Sequence, residues 1–143
     1  MPSLQTCLLL HFFATAALFG LIWTVQLAVY PRFKDFPEHG FSAFHFRYCR
    51  GIGMIVGPLI LLEFFTGLAW WLLTPSSLAA QLGMVLMVVN LLSTALLQAP
   101  LHVRLMRGRD EKAIARLVLT NWVRTVTWSM RAATVGAAIV LST

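Results

Sequence analysis

Glu63 and Arg131 are the acidic and the basic residue that lie deepest inside long apolar stretches of this chain. Each is sixteen residues from the edge of its stretch, if Arg47 and Ala115 are taken as those edges. At about 1.5 Å per helical residue, both side chains fall slightly beyond the middle of a bilayer. Because an ionised group in lipid is costly, we expect the two charges to pair. Such a pair is either a structural element that fixes helix packing or a pair of catalytic groups.

A second group of polar side chains is predicted nearer to the basic ends of the same stretches. Asn121, Arg124 and Arg131 recur along one stripe of the last stretch, and His45 shares a helical face with Glu63. The side chains of an inward-facing polar stripe commonly form hydrogen bonds between helices. Two arginines, a carboxylate and two histidines exceed what packing requires, so we favour a ligand pocket that opens to the cytoplasm. Its predicted ligand-binding residues are Gln26, His45, Gln98, His102, Asn121 and Arg124.

The histidines form no metal-binding motif in the sequence. Only His45 and His102 are expected to approach each other, and there is no Glu-x-x-His pair of the di-iron type. A mononuclear or copper site on these two histidines is the alternative, but each is expected at the headgroup boundary. Cys7 and Cys49 are predicted on opposite sides of the bilayer, too far apart for a disulfide. We therefore predict no metal and assign no cofactor.

Four apolar runs are long enough to position these residues across a membrane, which takes about 20 helical residues. Pro31, Pro75 and Gly108 separate the runs. The short connection after the second run requires an antiparallel hairpin. The sequence therefore predicts one integral membrane domain, 1–143, with an all-α fold: a four-helix, up-down-up-down transmembrane bundle. The predicted spans are 4–30, 43–74, 77–106 and 111–141.

Several local patterns predict how these helices pack. Gly53 and Gly57 form a Gly-x-x-x-Gly pair, which permits close approach of a second helix. Pro58 is expected to kink the second helix. Trp70 and Trp71 are expected at the outer membrane interface, as belt residues.

Composition and charge distribution support a membrane protein. The chain is 59% hydrophobic and 11% charged, whereas soluble domains are about 25% charged. The net charge of +6 does not indicate nucleic-acid binding, because every Lys and Arg lies in 32–50 or 104–131, at the ends of apolar runs. All of them except Arg124 and Arg131 lie in or beside two connections, which are therefore predicted to be cytoplasmic. Both termini are then on the non-cytoplasmic side.

Three stretches carry a resemblance to a known family: WTVQLAVYPRF (23–33), STALLQAPLHVRL (93–105) and LVLTNWVRTVTWSMR (117–131). Together with His45 and the Pro58-to-Glu63 segment, they resemble a family of small bacterial four-helix integral membrane proteins. The chain is more distantly similar to anthrone-oxygenase-like membrane proteins. The resemblance implies the fold, the topology and a bacterial inner membrane, but no reaction. The family has a histidine before its Tyr-Pro pair, where this chain has Val29, so a metal site requiring that histidine is not expected.

The leading functional hypothesis is binding of an anionic or redox-active small ligand, of the quinone or lipid-headgroup type, between the helices. An oxidoreductase would be one form of it, with Glu63 and Arg131 as the candidate catalytic residues. The alternative is an accessory subunit of a larger membrane complex without its own chemistry, whose basic ends contact a partner or anionic lipid. A channel or transporter ranks third and would require a homo-oligomer. Membrane lipid is the expected partner in every case.

Overall fold

The computed structural model describes residues 3–142, and within them the chain is all-α. Residues 1, 2 and 143 of the predicted domain 1–143 lie outside the described part. Two π-helical turns and one 3-10 helix extend or join the α-helices, which gives four long helical segments, here called rods. The predicted four-helix bundle is therefore confirmed. The α-helices are α1 (Leu4–Thr24), α2 (Phe41–Leu73), α3 (Leu78–Ser93), α4 (Ala99–Leu105) and α5 (Glu111–Ser142).

Two hydrophobic clusters show that the rods run up-down-up-down. At one end, Val25 after α1 packs with Phe41 at the start of α2, Leu105 at the end of α4 and Ala113 near the start of α5. We call this the basic end, because both basic connections lie there. At the far end, the start of α1 and the end of α2 pack with the start of α3 and the end of α5, through Cys7, Trp70, Ala80 and Val135. The rods are therefore antiparallel to their neighbours in sequence.

Each π-helical turn precedes a proline. Val25–Val29 leads into the 3-10 helix Tyr30–Asp35, which contains Pro31. Thr94–Gln98 leads into α4, which contains Pro100. Because proline lacks an N–H and clashes with the preceding turn, the helix register shifts just before it. The first rod consequently continues to Asp35, beyond the predicted end of its span at residue 30. By contrast, α2 is continuous through Pro58.

The connections contain the capping residues that helix ends require. Gly40 precedes α2 with a φ of 87°, in the left-handed region where glycine is favoured. Ser77 caps α3 by accepting a hydrogen bond from the amide of Ala80. The Asp110 carboxylate accepts one from the amide of Ala113 at 2.9 Å and caps α5.

The prediction that Gly53 and Gly57 allow close helix packing is wrong. A Cβ atom at either position would meet no other atom within 4 Å. The close approaches occur instead at Gly67, where a Cβ would lie 3.0 Å from the His11 ring, and at Gly83, where it would lie 3.3 Å from Trp70. The Gly-x-x-x-Gly spacing marks a helix face, but which face meets a neighbour depends on the whole bundle.

The prediction that Trp70 belongs to an interfacial belt is also wrong. Its side chain is buried in the far-end cluster, 5.7 Å from the His11 ring. His11 is buried as well and shares a hydrogen bond with Thr66 at 3.0 Å. Trp71, by contrast, is partly exposed. The far end of the bundle is therefore held by a packed core of aromatic and polar side chains.

Three helical segments are long and apolar enough to cross a membrane: Leu4–Asp35, Phe41–Leu73 and Leu78–Leu105. The chain is therefore a membrane protein. The fourth rod, α5, is as long as the others but is not among these three, because polar and charged side chains interrupt it. In the central part of α5, which packs on α1 and α3, several of these side chains are buried, among them Asn121, Arg124 and Arg131.

Candidate ligand-binding site

The Glu63 carboxylate is the centre of the deepest polar layer and joins all four rods. Arg131 Nε donates to its Oε1 at 3.0 Å, and both side chains are almost completely buried. Thr15 on α1 donates to the same oxygen at 3.0 Å, and Trp128 Nε1 donates to Oε1 and Oε2 at 3.2 and 3.3 Å. Arg131 Nη1 also donates to the carbonyl of Gly83 on α3. The predicted pairing of Glu63 with Arg131 is thus confirmed.

A second polar network lies nearer to the basic end and links α1 to α5. Asn121 Nδ2 donates to Gln26 Oε1 at 2.8 Å, and Gln26 Nε2 donates to the carbonyl of Val118 at 3.1 Å. Arg124 Nη1 donates to Asn121 Oδ1 at 3.3 Å, and its guanidinium lies 5.1 Å from the centre of the Trp128 ring. The network orients Arg124 while pairing it with no carboxylate, so its positive charge stays available.

Both candidate glutamines lie in the π-helical turns, Gln26 in the first and Gln98 in the second. Ser93 donates to Gln98 Oε1 at 3.1 Å, and Gln98 Nε2 donates to Thr120 Oγ1 at 3.1 Å. A π-turn inserts an extra residue into the helical repeat and is frequent at functional sites. Here it places an amide in the bundle interior on each of two rods.

His45 and His102 lie next to each other, with His45 Nε2 3.1 Å from His102 Nδ1. The other nitrogen of His102, Nε2, is hydrogen-bonded to Tyr30 Oη at 3.0 Å. Cys49 Sγ is 3.6 Å from His102 Nδ1. The His45 ring is buried between Phe33 and Phe41, with ring centres 5.1 and 5.6 Å away. The expected approach of His45 to His102 is therefore confirmed, and His45 is fully buried.

A cavity of about 320 Å³ lies beside these groups, with walls from α1, α2, α4 and α5. Most of its lining is apolar, and seven polar or ionisable side chains, Thr94 among them, contribute the rest. Gly53 contributes to the wall, where the absence of a side chain leaves space. The apolar lining includes Leu21, Ile22, Val25, Ile52, Val56 and Val103, and the polar lining includes Tyr30, Tyr48, Cys49, Gln98, His102 and Arg124.

The eight candidate residues divide into three groups around this cavity. Gln98, His102 and Arg124 line it directly. Gln26, His45 and Asn121 lie behind that lining and hydrogen-bond to it or to the residues that hold it. Glu63 and Arg131 form the deeper layer and do not line this cavity. The helical stripes suggested one continuous pocket, but the polar residues form a cavity lining and a separate, deeper layer.

Among the polar lining, Tyr30, Tyr48, Cys49 and Thr94 were not assigned to the site from the sequence. For two of them a signal was present, because Tyr48 and Cys49 follow His45 by three and four residues and so share its helical face. Tyr30 gave no comparable signal, since its direction depends on the π-turn before it.

No family model, curated protein or solved structure matches this chain. Assignment of a function therefore rests on the geometry of the cavity and on the charges around it.

Proposed function

We propose that this protein is a four-pass protein of the bacterial inner membrane, with its basic end in the cytoplasm and both termini on the other side. The two basic connections lie at one end, where Arg109 Nη2 donates to the carbonyl of Lys34 at 2.8 Å and thereby joins them. Basic connections are retained in the cytoplasm. This orientation places the cavity in the cytoplasmic half of the bundle.

The surface of α5 supports a fourth membrane crossing. In the central part of α5, the polar side chains face the other helices, and Asn121, Arg124 and Arg131 are all buried. Its exposed side chains along the same stretch are large and apolar, as a lipid-facing surface requires. These exposed residues are Leu119, Trp122, Val123, Val126, Met130, Val140 and Leu141.

We further propose that the cavity binds a small amphipathic ligand of the quinone type, through acceptor oxygens on its ring. The single observation that carries this proposal is the mixed lining of the 320 Å³ cavity, which is mostly apolar but includes Arg124, His102, Gln98 and two tyrosines among its polar groups. Sites for small molecules are typically about 300–1,000 Å³, mostly apolar, with a few placed polar groups. A quinone ring matches this division, since its faces are apolar and its oxygens accept hydrogen bonds.

Arg124 is the residue expected to select ligands that carry negative charge on an oxygen atom. It is buried, it contacts no carboxylate, and its Nε has no hydrogen-bond partner among the described residues. A guanidinium in this state stabilises partial or full negative charge on a bound oxygen far more strongly than a neutral donor does. An anionic lipid headgroup would use the same interaction, so the ligand's identity must be tested directly.

A chain of hydrogen-bonding groups leads away from the cavity wall and would serve a ligand that takes up protons. It runs from Tyr30 Oη to His102 Nε2 at 3.0 Å, and from His102 Nδ1 to His45 Nε2 at 3.1 Å. Both imidazoles can accept a proton on one nitrogen and donate from the other. An oxidoreductase that reduces or oxidises the ligand would use Tyr30 and the two histidines in this way, with Glu63 and Arg131 as structural support.

The test is binding of a short-chain quinone to the purified protein in nanodiscs, measured by quenching of tryptophan fluorescence. Loss of a hydrogen bond to a charged donor costs about 1.5–3 kcal/mol, so Arg124→Leu should weaken binding about 10- to 150-fold. Arg116→Leu is the matched control, because Arg116 is exposed on the same helix and the change removes the same charge. Equal affinity in the two variants would refute the assignment. Displacement of the quinone by a short-chain anionic phospholipid, but not by a neutral one, would identify a headgroup site.

A further inference from the structure

Three side chains that bind soft metal ions converge at the wall of the cavity. His45 and Cys49 come from α2, four residues and therefore one helical turn apart, and His102 comes from α4. One ligand atom from each lies within 4.8 Å of the other two. The sequence pointed to the two histidines alone. Cys49 adds the third ligand and changes the chemistry, because a thiolate prefers soft ions.

The distances between these atoms suit a single metal ion. For metal–nitrogen bonds of about 2.05 Å and a metal–sulfur bond of about 2.3 Å in trigonal geometry, the ligand atoms are about 3.55 Å (nitrogen to nitrogen) and about 3.8 Å (nitrogen to sulfur) apart. His45 Nε2 and His102 Nδ1 are 3.1 Å apart, and Cys49 Sγ is 3.6 Å from His102 Nδ1. Both observed distances are shorter than these by about 0.2 to 0.5 Å, and a ring nitrogen of His45 lies within 4.8 Å of Cys49 Sγ. The three side chains are therefore close enough to share one ion.

The surroundings hold both imidazoles in orientations that present these nitrogens to each other. Tyr30 Oη binds His102 Nε2 at 3.0 Å, which leaves Nδ1 as the nitrogen that can bind a metal. Such a contact to the outer nitrogen is typical of histidines that bind metals. The His45 ring is completely buried and stacks on Phe41, with an angle of 11° between the ring planes.

The charge around the site favours a monovalent ion. One thiolate and two neutral imidazoles carry a single negative charge, which Cu⁺ would neutralise and Zn²⁺ would exceed. The cation of Arg124 lines the same cavity and lacks a carboxylate partner among the described residues, and uncompensated positive charge in a low-dielectric interior is costly. Three protein ligands of the His₂Cys type also occur in trigonal copper sites, whereas Zn²⁺ would need a fourth.

We propose that His45, Cys49 and His102 bind one Cu⁺ ion at the cavity wall. Binding releases the thiol proton of Cys49 to solvent, while the proton between the two imidazoles moves to the outer nitrogen of its own ring, so that both imidazoles stay neutral. This inference goes beyond the quinone-type ligand proposed above and does not depend on it. Cys49 and His102 line the cavity while His45 lies behind them, so the ion would sit where a ligand in the cavity can approach it.

The experiment is anaerobic competition for Cu⁺ between the detergent-purified protein and a chromophoric Cu⁺ chelator, with ascorbate as reductant. The wild type should take one Cu⁺ per chain, and Cys49→Ser should bind at least about 100-fold more weakly, the upper end of the loss seen for a mere outer-shell change. Cys7→Ser is the matched control, because Cys7 is the other cysteine of the chain and lies at the far end, where its Sγ donates to the carbonyl of Thr66. It should bind Cu⁺ like the wild type.

Two further measurements make the result decisive. X-ray absorption of the copper-loaded wild type should show one sulfur and two nitrogen neighbours, which does not depend on the folding of any variant. Tyr30→Phe should keep the stoichiometry and weaken binding about 10- to 100-fold. Retention of wild-type affinity in Cys49→Ser, or equal losses in the two serine variants, would overturn the site. Tighter binding of Zn²⁺ than of Cu⁺ would overturn the copper assignment.

Discussion

Removal of the Glu63 carboxylate should strongly destabilise the bundle, because this group connects several helices at once. Glu63 accepts hydrogen bonds from Thr15, Trp128 and Arg131, which lie on two other rods, and Arg131 continues to the backbone of α3. In Glu63→Leu the guanidinium of Arg131 stays buried without its counter-ion. Loss of one partner from a buried pair costs about 3–5 kcal/mol.

The double variant Glu63→Leu/Arg131→Leu separates pairing from packing. A buried pair replaced by apolar side chains is often tolerated, because both desolvation penalties disappear together. Thr15 and Trp128 also lose their acceptor. The Thr15 hydroxyl can donate instead to a carbonyl of the preceding helical turn, whereas the Trp128 N–H costs about 1–3 kcal/mol when it is left without an acceptor. We therefore expect the double variant to lose about 1–3 kcal/mol, far below the sum of about 6–10 kcal/mol for two independent losses.

The assay is unfolding by increasing mole fractions of sodium dodecyl sulfate in mixed micelles, followed by far-ultraviolet circular dichroism. Glu111→Leu is the control, because Glu111 pairs with Arg109 at 3.0 Å while its side chain is 79% exposed. An exposed pair contributes about 0–1 kcal/mol, so this variant should unfold near the wild type. Additive losses in the double variant, or a loss below about 1 kcal/mol in Glu63→Leu, would refute the central role of the pair.

Three further predictions concern packing, the cavity and a helix cap. Gly67→Ala should lose about 1–3 kcal/mol in the same unfolding assay, because its Cβ would lie 3.0 Å from the His11 ring, whereas Gly57→Ala should not be destabilised. Gly53→Leu should abolish quinone binding in the nanodisc assay while stability rises by up to about 1 kcal/mol, since the new side chain occupies the cavity and helix propensity improves; unchanged binding would contradict the position of the ligand. Hydrogen bonds from the first turn of α5, above all from the amide of Ala113, lower the pKa of Asp110. The ionised carboxylate therefore stabilises the folded state above the ordinary carboxyl pKa of about 3.9, and this stabilisation is lost as the pH falls through the lower pKa of the folded state. Thermal unfolding from pH 7 to pH 2 should therefore show a loss in the wild type at the acid end that Asp110→Asn does not show.

The sequence predicted the fold because lipid imposes strong rules on it. Long apolar runs, their separation by proline and glycine, and basic residues confined to two connections leave few arrangements other than an antiparallel bundle. Counting residues from the edges also predicted the pairing of Glu63 with Arg131, because helical rise is nearly constant. Such rules concern position along a helix, which the sequence records directly.

The site was predicted less completely because its geometry depends on the direction in which each side chain points around its helix axis. The π-turn before Pro31 changes the helical phase and so determines where Tyr30 points, which counting along a regular helix does not predict. The contact of Cys49 with His102 depends on how α2 and α4 are placed against each other, which spacing within one helix cannot give. The prediction that Gly53 and Gly57 face a neighbouring helix was wrong for the same reason. Gly53 lines the cavity, and Gly57 has no neighbouring helix close to it.

Native mass spectrometry of the protein, extracted gently from its own membrane, tests the central claim of a ligand in the cavity. We expect a small organic mass bound to the wild type and to Arg116→Leu, and absent from Arg124→Leu. A wild-type chain without any small ligand, bound in fixed ratio to larger subunits, would contradict the claim. The protein would then be an accessory subunit, and its buried charges would serve packing alone.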